Sequence, residues 1–416
     1  MGILTIVAFF ILLVNFTLIM RAFFTFKKDE FVRKDSPLVS ILVPAYNESV
    51  GICDSIKSLL NQDYPNFEIV VVDDGSTDYT FEKVIKNFGK ESKVRAFRKE
   101  NGGKAMALNF ATTKANGDLF MCIDADTILD PSTITRMVGK MKPDSDAVAA
   151  MVGIANEYTI KDGKPTKSFV PSNITIKTQF LEYMKSYVIY RCSTKDKNAV
   201  TVISGACGII SRKIFNKCGG YKKGQLGEDM ELTMNIHTVG GRVQFLAETL
   251  AWTEAPNNIK DLGKQRVRWF RGAFQALYEH KHLLFSKGNY FFNFLMLPYS
   301  WLSGVFSVWI EVFTWVYCVT LVFTANNTLD MNTWLWMWGI ILLGHHINTI
   351  LVIEFAKRKL DVNYKEMNRV YFSPFFEGIG FHFFYVYWLV KAHLQQLFGV
   401  SRKWNKLKRN GVKTSE

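Results

Sequence analysis

The chain has 416 residues, 48% hydrophobic and 14% aromatic, with 34 Phe, 10 Trp and a formal net charge of +14. That is long enough for one large domain and more. Its basicity alone would suit a nucleic-acid binder, but no basic helix-turn-helix, RNP or zinc-finger pattern is present, so nucleic acid is excluded as a partner. The positive charge is read as attraction of loops to anionic lipid, with a little of it available to nucleotide phosphates. Six Cys, at 53, 122, 192, 207, 218 and 318, show neither metal-ligand nor disulfide spacing and read as reduced structural thiols.

Residues 2–20 run apolar and are followed by Arg21, Lys27, Lys28, Arg33 and Lys34. A signal peptide carries its charge before its apolar core. Residues 1–24 are therefore expected to form an uncleaved transmembrane anchor whose C-terminal side is cytosolic by the positive-inside rule. From about 36 to 285 strand and helix patterns alternate. Strands are expected at 38–44, 67–72, near 94–97 and in a run ending at Ile123; helices are expected at 47–60, 77–88 and 103–114. Such alternation implies an α/β domain with a mostly parallel sheet, whose ligands sit beyond the carboxyl ends of the strands. An interfacial helix is expected near 260–285.

Apolar runs at 291–325, 333–353 and 371–398, with Trp and Tyr near their ends, read as transmembrane helices within 291–398. The loop 357–369 and the tail 399–416 are basic. An even number of crossings after residue 290 is favoured, because it returns that tail to the cytosol. Glu311, His345, His346, Glu377 and His382 fall inside the runs and are expected to face a bundle interior or a polar path.

Five motifs carry chemistry. Asp73-Asp74-Gly75 ends an apolar strand; its carboxylates can accept hydrogen bonds from a base or ribose, although Asp-Gly-Ser is also ordinary turn chemistry. Gly102-Gly103-Lys104 opens a helix and suits a phosphate, or simply starts the helix with a solvated Lys. Asp124-Ala125-Asp126 places two carboxylates one residue apart at a strand end, where both can face one hard cation such as Mg²⁺ or Mn²⁺, or else form a solvated loop. Gly227-Glu228-Asp229 opens a helix, either as a favourable cap or as a carboxylate held at a cleft for general-base work. Gln265-Arg266-Val267-Arg268-Trp269 lies in a helical stretch, and Gln265, Arg268 and Trp269, at i, i+3 and i+4, share one face. Arg suits a diphosphate and Trp a ring; an interfacial helix would use the same residues.

These elements, in this order over roughly 37–275, resemble the membrane-embedded family 2 processive glycosyltransferases, which include cellulose, chitin, hyaluronan and poly-N-acetylglucosamine synthases. The resemblance implies a GT-A fold, a UDP-sugar donor and inverting transfer to the growing end of a β-linked glycan, with UDP-N-acetylglucosamine favoured and translocation across the membrane as an accompaniment. Carried over, Asp73 and Asp74 look like uracil and ribose contacts, with Lys104 on the donor. Asp124 would hold the nucleotide and Asp126 a metal, Mg²⁺ or Mn²⁺. Asp229 resembles the catalytic base. Gln265, Arg268 and Trp269 resemble the clamp on the diphosphate and acceptor, with Glu228, Ser204 and Gly205 lining the acceptor side. The expected setting is the plasma membrane, multi-pass, with a cytosolic catalytic domain, a lipid bilayer around it and room for a small membrane partner subunit. Here the motif reads Gly-Glu-Asp where cellulose and poly-N-acetylglucosamine synthases typically have Thr-Glu-Asp, and no long C-terminal cyclic-dinucleotide domain follows. Transfer of one sugar to a lipid-linked acceptor is the alternative, since such enzymes share the first two acidic motifs; a non-enzymatic transporter or receptor is the other.

Overall fold

The computed structural model describes residues 2–166, 170–324, 328–360, 370–371, 380–400 and 411–414. Most of the basic loop (361–369), most of the basic tail (401–410) and Glu377 lie outside the described residues. The chain divides into two units. One comprises 27–180, 200–264 and 401–416; the other comprises 1–26, 181–199 and 265–400.

The first unit is α/β. Its strands are β1 (Val39–Ala45), β2 (Phe67–Asp73), β3 (Val94–Arg98), β4 (Leu119–Cys122), β5 (Ile128–Leu129), β6 (Ala147–Ile154), β7 (Thr159–Lys161), β8 (Lys164–Pro165), β9 (Gly208–Ser211), β10 (Val243–Thr253) and β11 (Lys413–Thr414). Eight form one sheet in the order β3-β2-β1-β4-β9-β6-β10-β5, and β11-β7-β8 form a small second one. In the large sheet only β9 and β5 pair antiparallel to their neighbours; the rest run one way. Every residue of β1 is buried, as its uninterrupted Val-Ser-Ile-Leu-Val-Pro-Ala sequence requires of a central strand covered on both faces. Ile41, Val43, Ile69, Val71, Met121 and Ile209 lie in one continuous core. Each such side chain contributes about 1.5–3 kcal/mol by leaving water.

Registers are level where function concentrates. Ala45 pairs with Asp73, and Asp73 with Arg98, so β1, β2 and β3 release their loops at one edge. At the opposite edge Glu68 ties the sheet together: its carboxylate accepts from Ser40 Oγ at 2.7 Å, Asn116 N at 2.5 Å and Arg95 Nη2 at 2.5 Å. Burial alone would raise the Glu68 carboxyl, but the Asn116 amide, the Ser40 hydroxyl and Arg95 hold it below the usual carboxylate range.

The second unit is helical. Its N-terminal helix, Gly2–Thr25, covers the segment expected at 1–24, and three stretches among the described residues are long and apolar enough to cross a membrane: Ile6–Thr25, Phe292–Tyr317 and Trp338–Lys359. The described part of the 371–398 run is the helix His382–Leu397, whose 16 residues fall short of a span. Two candidate spans thus follow residue 290 among the described residues. The expected helix near 260–285 is Ile259–Glu279. The helical unit takes this helix from Gln265, and takes 181–199, out of the expected 36–285 domain. Polar ties explain why: Arg21 pairs with Asp196 at 2.5 Å, Arg266 with Glu182 at 2.7 Å, and Asn289 Nδ2 donates to Lys197 O at 2.9 Å.

Two stability predictions follow from the sheet. A Cβ on Gly117 would lie 2.5 Å from Leu38 O and 2.7 Å from Ser40 N, which are backbone atoms that cannot swing aside. Gly117→Ala should destabilise the protein by about 1–3 kcal/mol, read by thermal unfolding of the detergent-solubilised chain; an unchanged melting temperature would refute the close approach. Because the folded Glu68 carboxyl lies below its free value of 4.5, its contribution is present above that pH and is lost as pH falls through the lower folded value. Glu68→Gln should therefore lower stability at neutral pH and flatten the acid limb of the stability curve below the free value.

Candidate active site

The β2 edge is built around two buried aspartates. Asp74 N donates to Ala45 O at 2.8 Å, which continues the β1–β2 pairing into the turn. Gly75 has φ +74°, and a Cβ there would meet Asn101 N at 2.8 Å, so the turn demands glycine. Asp73, 1% exposed, accepts from Ser76 N at 3.2 Å and pairs with Arg98 Nε at 3.2 Å. Asp74, 3% exposed, pairs with Lys99 Nζ at 2.7 Å and accepts from Gly102 N at 3.0 Å and Gly103 N at 2.7 Å. The glycine amides that suited a phosphate in the sequence thus hold the Asp74 carboxylate. The anion bound at this helix start is the protein's own. Asn47 joins the β1 loop to the same turn: its Oδ1 accepts from Thr77 N at 2.7 Å and its own N–H donates to Ser76 Oγ at 2.8 Å. Sequence reasoning marked the strand-end stretch 44–48 that contains Asn47, but missed Arg98, Lys99 and Asn101. Asn47 sits at φ +55°, a conformation for which Asn is enriched.

Lys104, the first residue of the helix Lys104–Lys114, reaches from this turn to two more motifs. Its Nζ lies 2.6 Å from Asp124 Oδ1 and 3.0 Å from Glu228 Oε1, and its side chain is only 13% exposed. Burial alone would lower the ammonium pKa, but Asp124 and Glu228 push it well above the ordinary lysine range. Glu228 and Asp229 form the first turn of the helix Glu228–Thr238, which has no side-chain cap at Gly227. Thr233 on that helix donates to Asp229 O at 2.7 Å and accepts from Ile203 N at 2.9 Å, fastening the Ser204-Gly205 stretch to the helix. A Cβ on Gly205 would come within 2.8 Å of Lys104 Nζ. Lys104, Asp124, Gly205 and Glu228 therefore form one cluster, with Asp229 adjoining along the chain and Ser204 beside Gly205. Behind it lies Tyr221, which the sequence did not single out. Its hydroxyl is 2.9 Å from Cys122 Sγ, and burial, Cys122 and the nearby Glu228 and Asp229 raise its phenol well above the ordinary value.

Asp124 and Asp126 differ from the expected strand end. β4 stops at Cys122 and the motif folds into a turn closed by Thr127 N donating to Asp124 O at 3.0 Å. Alternation along a strand therefore does not set their directions. Asp124 engages Lys104, whereas Asp126 Oδ1 accepts from Thr253 Oγ1 at 3.3 Å. Asp126 lines a cleft with Glu48, Gly51, Asp54, Ile128, Glu254, Gly411 and Val412. No group of three His, Cys, Asp or Glu side chains among the described residues forms a ready metal cage. One or two carboxylate oxygens are what a divalent cation takes when phosphate oxygens and water complete its shell, so this donor set fits such an ion.

Gln265, Arg268 and Trp269 lie on the helix Ile259–Glu279, in the helical unit. Gln265 and the intervening Arg266 are buried. Arg266 Nη1 donates to Gln265 Oε1 at 2.5 Å, its guanidinium sits 4.3 Å from the Trp269 ring centroid, and Glu182 at 2.7 Å neutralises it. The Tyr183 ring lies 6.5 Å from Trp269. Arg266 is thus the residue that holds both Gln265 and Trp269, a role spacing alone did not reveal.

Residues 40–219 match Glycosyl transferase family 2. A poly-beta-1,6-N-acetyl-D-glucosamine synthase of Staphylococcus epidermidis is 28% identical over 366 residues, spanning 85% of this chain and 81% of that relative. A protein of the same description from Staphylococcus aureus is 30% identical over 241 residues, 58% of this chain and 55% of the relative. Among solved structures, a mannosyltransferase from Pyrobaculum calidifontis in complex with GDP-Man and Mn²⁺ matches with a TM-score of 0.65 at 17% identity, covering 96% of this chain and 100% of that one. That likeness shows a shared fold, the GT-A arrangement of a mostly parallel open sheet.

The Asp74 geometry yields a prediction. Asp74→Asn removes the counter-charge of Lys99 and weakens the acceptor for two amides at the start of the Lys104 helix. A loss of about 2–3 kcal/mol in stability is expected, together with reduced sugar incorporation, since the same turn carries Lys104. A variant with wild-type melting and wild-type turnover would rule out the clasp.

Proposed function

The chain is a family 2 glycosyltransferase, and we propose that it builds a β-linked polymer of N-acetylglucosamine from UDP-N-acetylglucosamine. The observation that carries this reading at the level of chemistry is the Lys104 bridge, which sets the Glu228–Asp229 helix start against Asp124. An inverting transfer needs one base opposite the leaving group and no protein nucleophile. Asp229, half-buried at a helix start, takes the proton of the acceptor hydroxyl as that oxygen attacks C1 of the donor sugar and the UDP bond breaks. Asp73 and Asp74 are assigned to the uridine side, Asp74 by shaping the turn as much as by contact. Asp124 is assigned to the nucleotide. Asp126 would hold a divalent cation, Mg²⁺ or Mn²⁺, which would supply charge neutralisation for the departing UDP. Ser204, Gly205 and Glu228 are assigned to the acceptor side, and Gln265, Arg268 and Trp269 to the clamp on diphosphate and glycan end, with Arg268 offsetting leaving-group charge.

The three apolar helices support a multi-pass protein of the plasma membrane. With the basic residues after the first helix, they support a cytosolic catalytic domain built on the α/β unit, a membrane region after residue 290 and a glycan that leaves through the bilayer. A small membrane partner subunit belongs to the same proposal.

The test uses the purified full chain in detergent or vesicles. Asp229→Asn should lower turnover by about 10²–10⁴-fold while UDP binding, read by calorimetry, is retained. Undiminished turnover would remove Asp229 from the base role. In a panel of radiolabelled UDP-glucose, UDP-N-acetylglucosamine and UDP-glucuronate, incorporation should follow the second. A product carrying a single added sugar would replace polymerisation by transfer to a lipid-linked acceptor.

A further inference from the structure

We infer that Lys104 is a positioning residue for the base, not a ligand of the donor phosphates: it couples the Asp124 turn to the Glu228–Asp229 helix start. This rests on the proposed role of Asp229 and goes beyond it. The ammonium is enclosed and already carries two carboxylate contacts, at 2.6 Å to Asp124 and 3.0 Å to Glu228. Two carboxylates already balance its charge and take two of its three N–H groups, so it has little positive charge left to offer a phosphate, while the buried Glu228 carboxylate depends on it as a cation. A lysine that instead keeps both partners joins two loops from distant parts of the chain.

Three features fit a positioning role. Asp124, Glu228 and Asp229 are like charges gathered at one place, and a cation between two of them allows the third to approach. At the start of the helix Glu228–Thr238, where Gly227 offers no side-chain cap, Asp229 Oδ1 accepts from Met230 N at 2.8 Å and the Glu228 carboxylate reaches out to Lys104. Gly205 leaves the ammonium its room, because a Cβ there would stand 2.8 Å from Nζ. At its other end Lys104 is fixed by the Asp74 clasp on Gly102 and Gly103, so the backbone that launches the side chain is itself tied to β2. The path from β2 to the base is then one of short polar contacts: Asp74, the Gly102-Gly103 amides, Lys104, Glu228, and Asp229 as the next residue in the chain.

Lys104→Met, Lys104→Arg and Glu228→Gln in the full chain separate the alternatives. A donor ligand lost at Lys104 raises the UDP dissociation constant and the KM for UDP-N-acetylglucosamine and spares kcat. A positioning residue lost there lowers kcat by about 10²-fold through misplacement of the base, with UDP affinity by calorimetry kept within about threefold. Lys104→Arg, which keeps the charge, is expected to recover a substantial part of kcat, a rescue that mere disruption of folding would not give. Glu228→Gln preserves shape and should reproduce the kcat loss even where Lys104→Met fails to fold. Weakened UDP binding with kcat intact, in either variant, overturns the inference. So does unchanged kcat in Glu228→Gln. If Asp229→Asn is inactive while Lys104→Met and Glu228→Gln turn over normally, the positioning role fails and the base stands; if Asp229→Asn is fully active, it is the base assignment that fails.

Discussion

A lysine ammonium out of water costs several kcal/mol unless carboxylates meet it, and Lys104 is met by two. The arrangement of the α/β unit follows from satisfying that requirement. Asp124 comes from the turn after β4, in the centre of the sheet next to β1; Glu228 comes from a helix more than a hundred residues later. Ala125 belongs to the core, and Leu232, Met234 and Ile236 bury the inner face of the Glu228 helix; the ion pairs then fix how the two segments face each other, in the space that Gly205 leaves.

The same logic repeats one layer away. Asp74 is buried because Lys99 and two amides take its charge, and Asp73 because Arg98 and the Ser76 amide do. Carboxylates gathered at one edge of a sheet repel one another unless their charge is met. In this chain the compensating cations, and these amides apart from that of Ser76, come from segment 98–104, which begins with the last residue of β3. The level ends of β1, β2 and β3 are what bring that segment to the aspartates. Strand register and electrostatics are therefore one constraint here.

The alternation of buried runs and helices was legible because central strands are apolar on both faces, as β1 and β2 are. The acidic motifs were legible from their order along the chain, since each alone is also ordinary turn, cap or loop chemistry. What the sequence hid was who pays each carboxylate back. Lys104 reads as a solvated or phosphate-binding lysine until its two partners, far apart in the chain, are brought together. Asp124-Ala125-Asp126 reads as strand alternation until the run proves one residue too short and the motif turns. Arg266 reads as a basic residue on the wrong face of its helix until Glu182, Gln265 and Trp269 are found around it. In each case the missing information is a long-range polar partner, which local pattern does not encode.

The helical unit obeys the rule in a harsher solvent. Within it Lys185 Nζ lies 3.2 Å from His345 Nε2, His382 Nε2 lies 2.6 Å from Glu311 Oε1, and the Tyr299 hydroxyl donates to Asn15 Oδ1 at 2.7 Å. Glu311 and Asn15 sit inside candidate spans, where an unpaired polar group would cost several kcal/mol against hydrocarbon. Each is met by a side chain from another helix. The first helix is joined to a later one in the same way, by Asn348 Nδ2 donating to Leu12 O at 3.3 Å, and at Gly344 by the Leu12 side chain, whose Cδ1 would lie 2.8 Å from a Cβ there. Apolar surface gives helices in lipid little reason to choose particular neighbours, so the pairing must come from polar ties and small residues such as these. The first helix is thereby specified as part of the bundle.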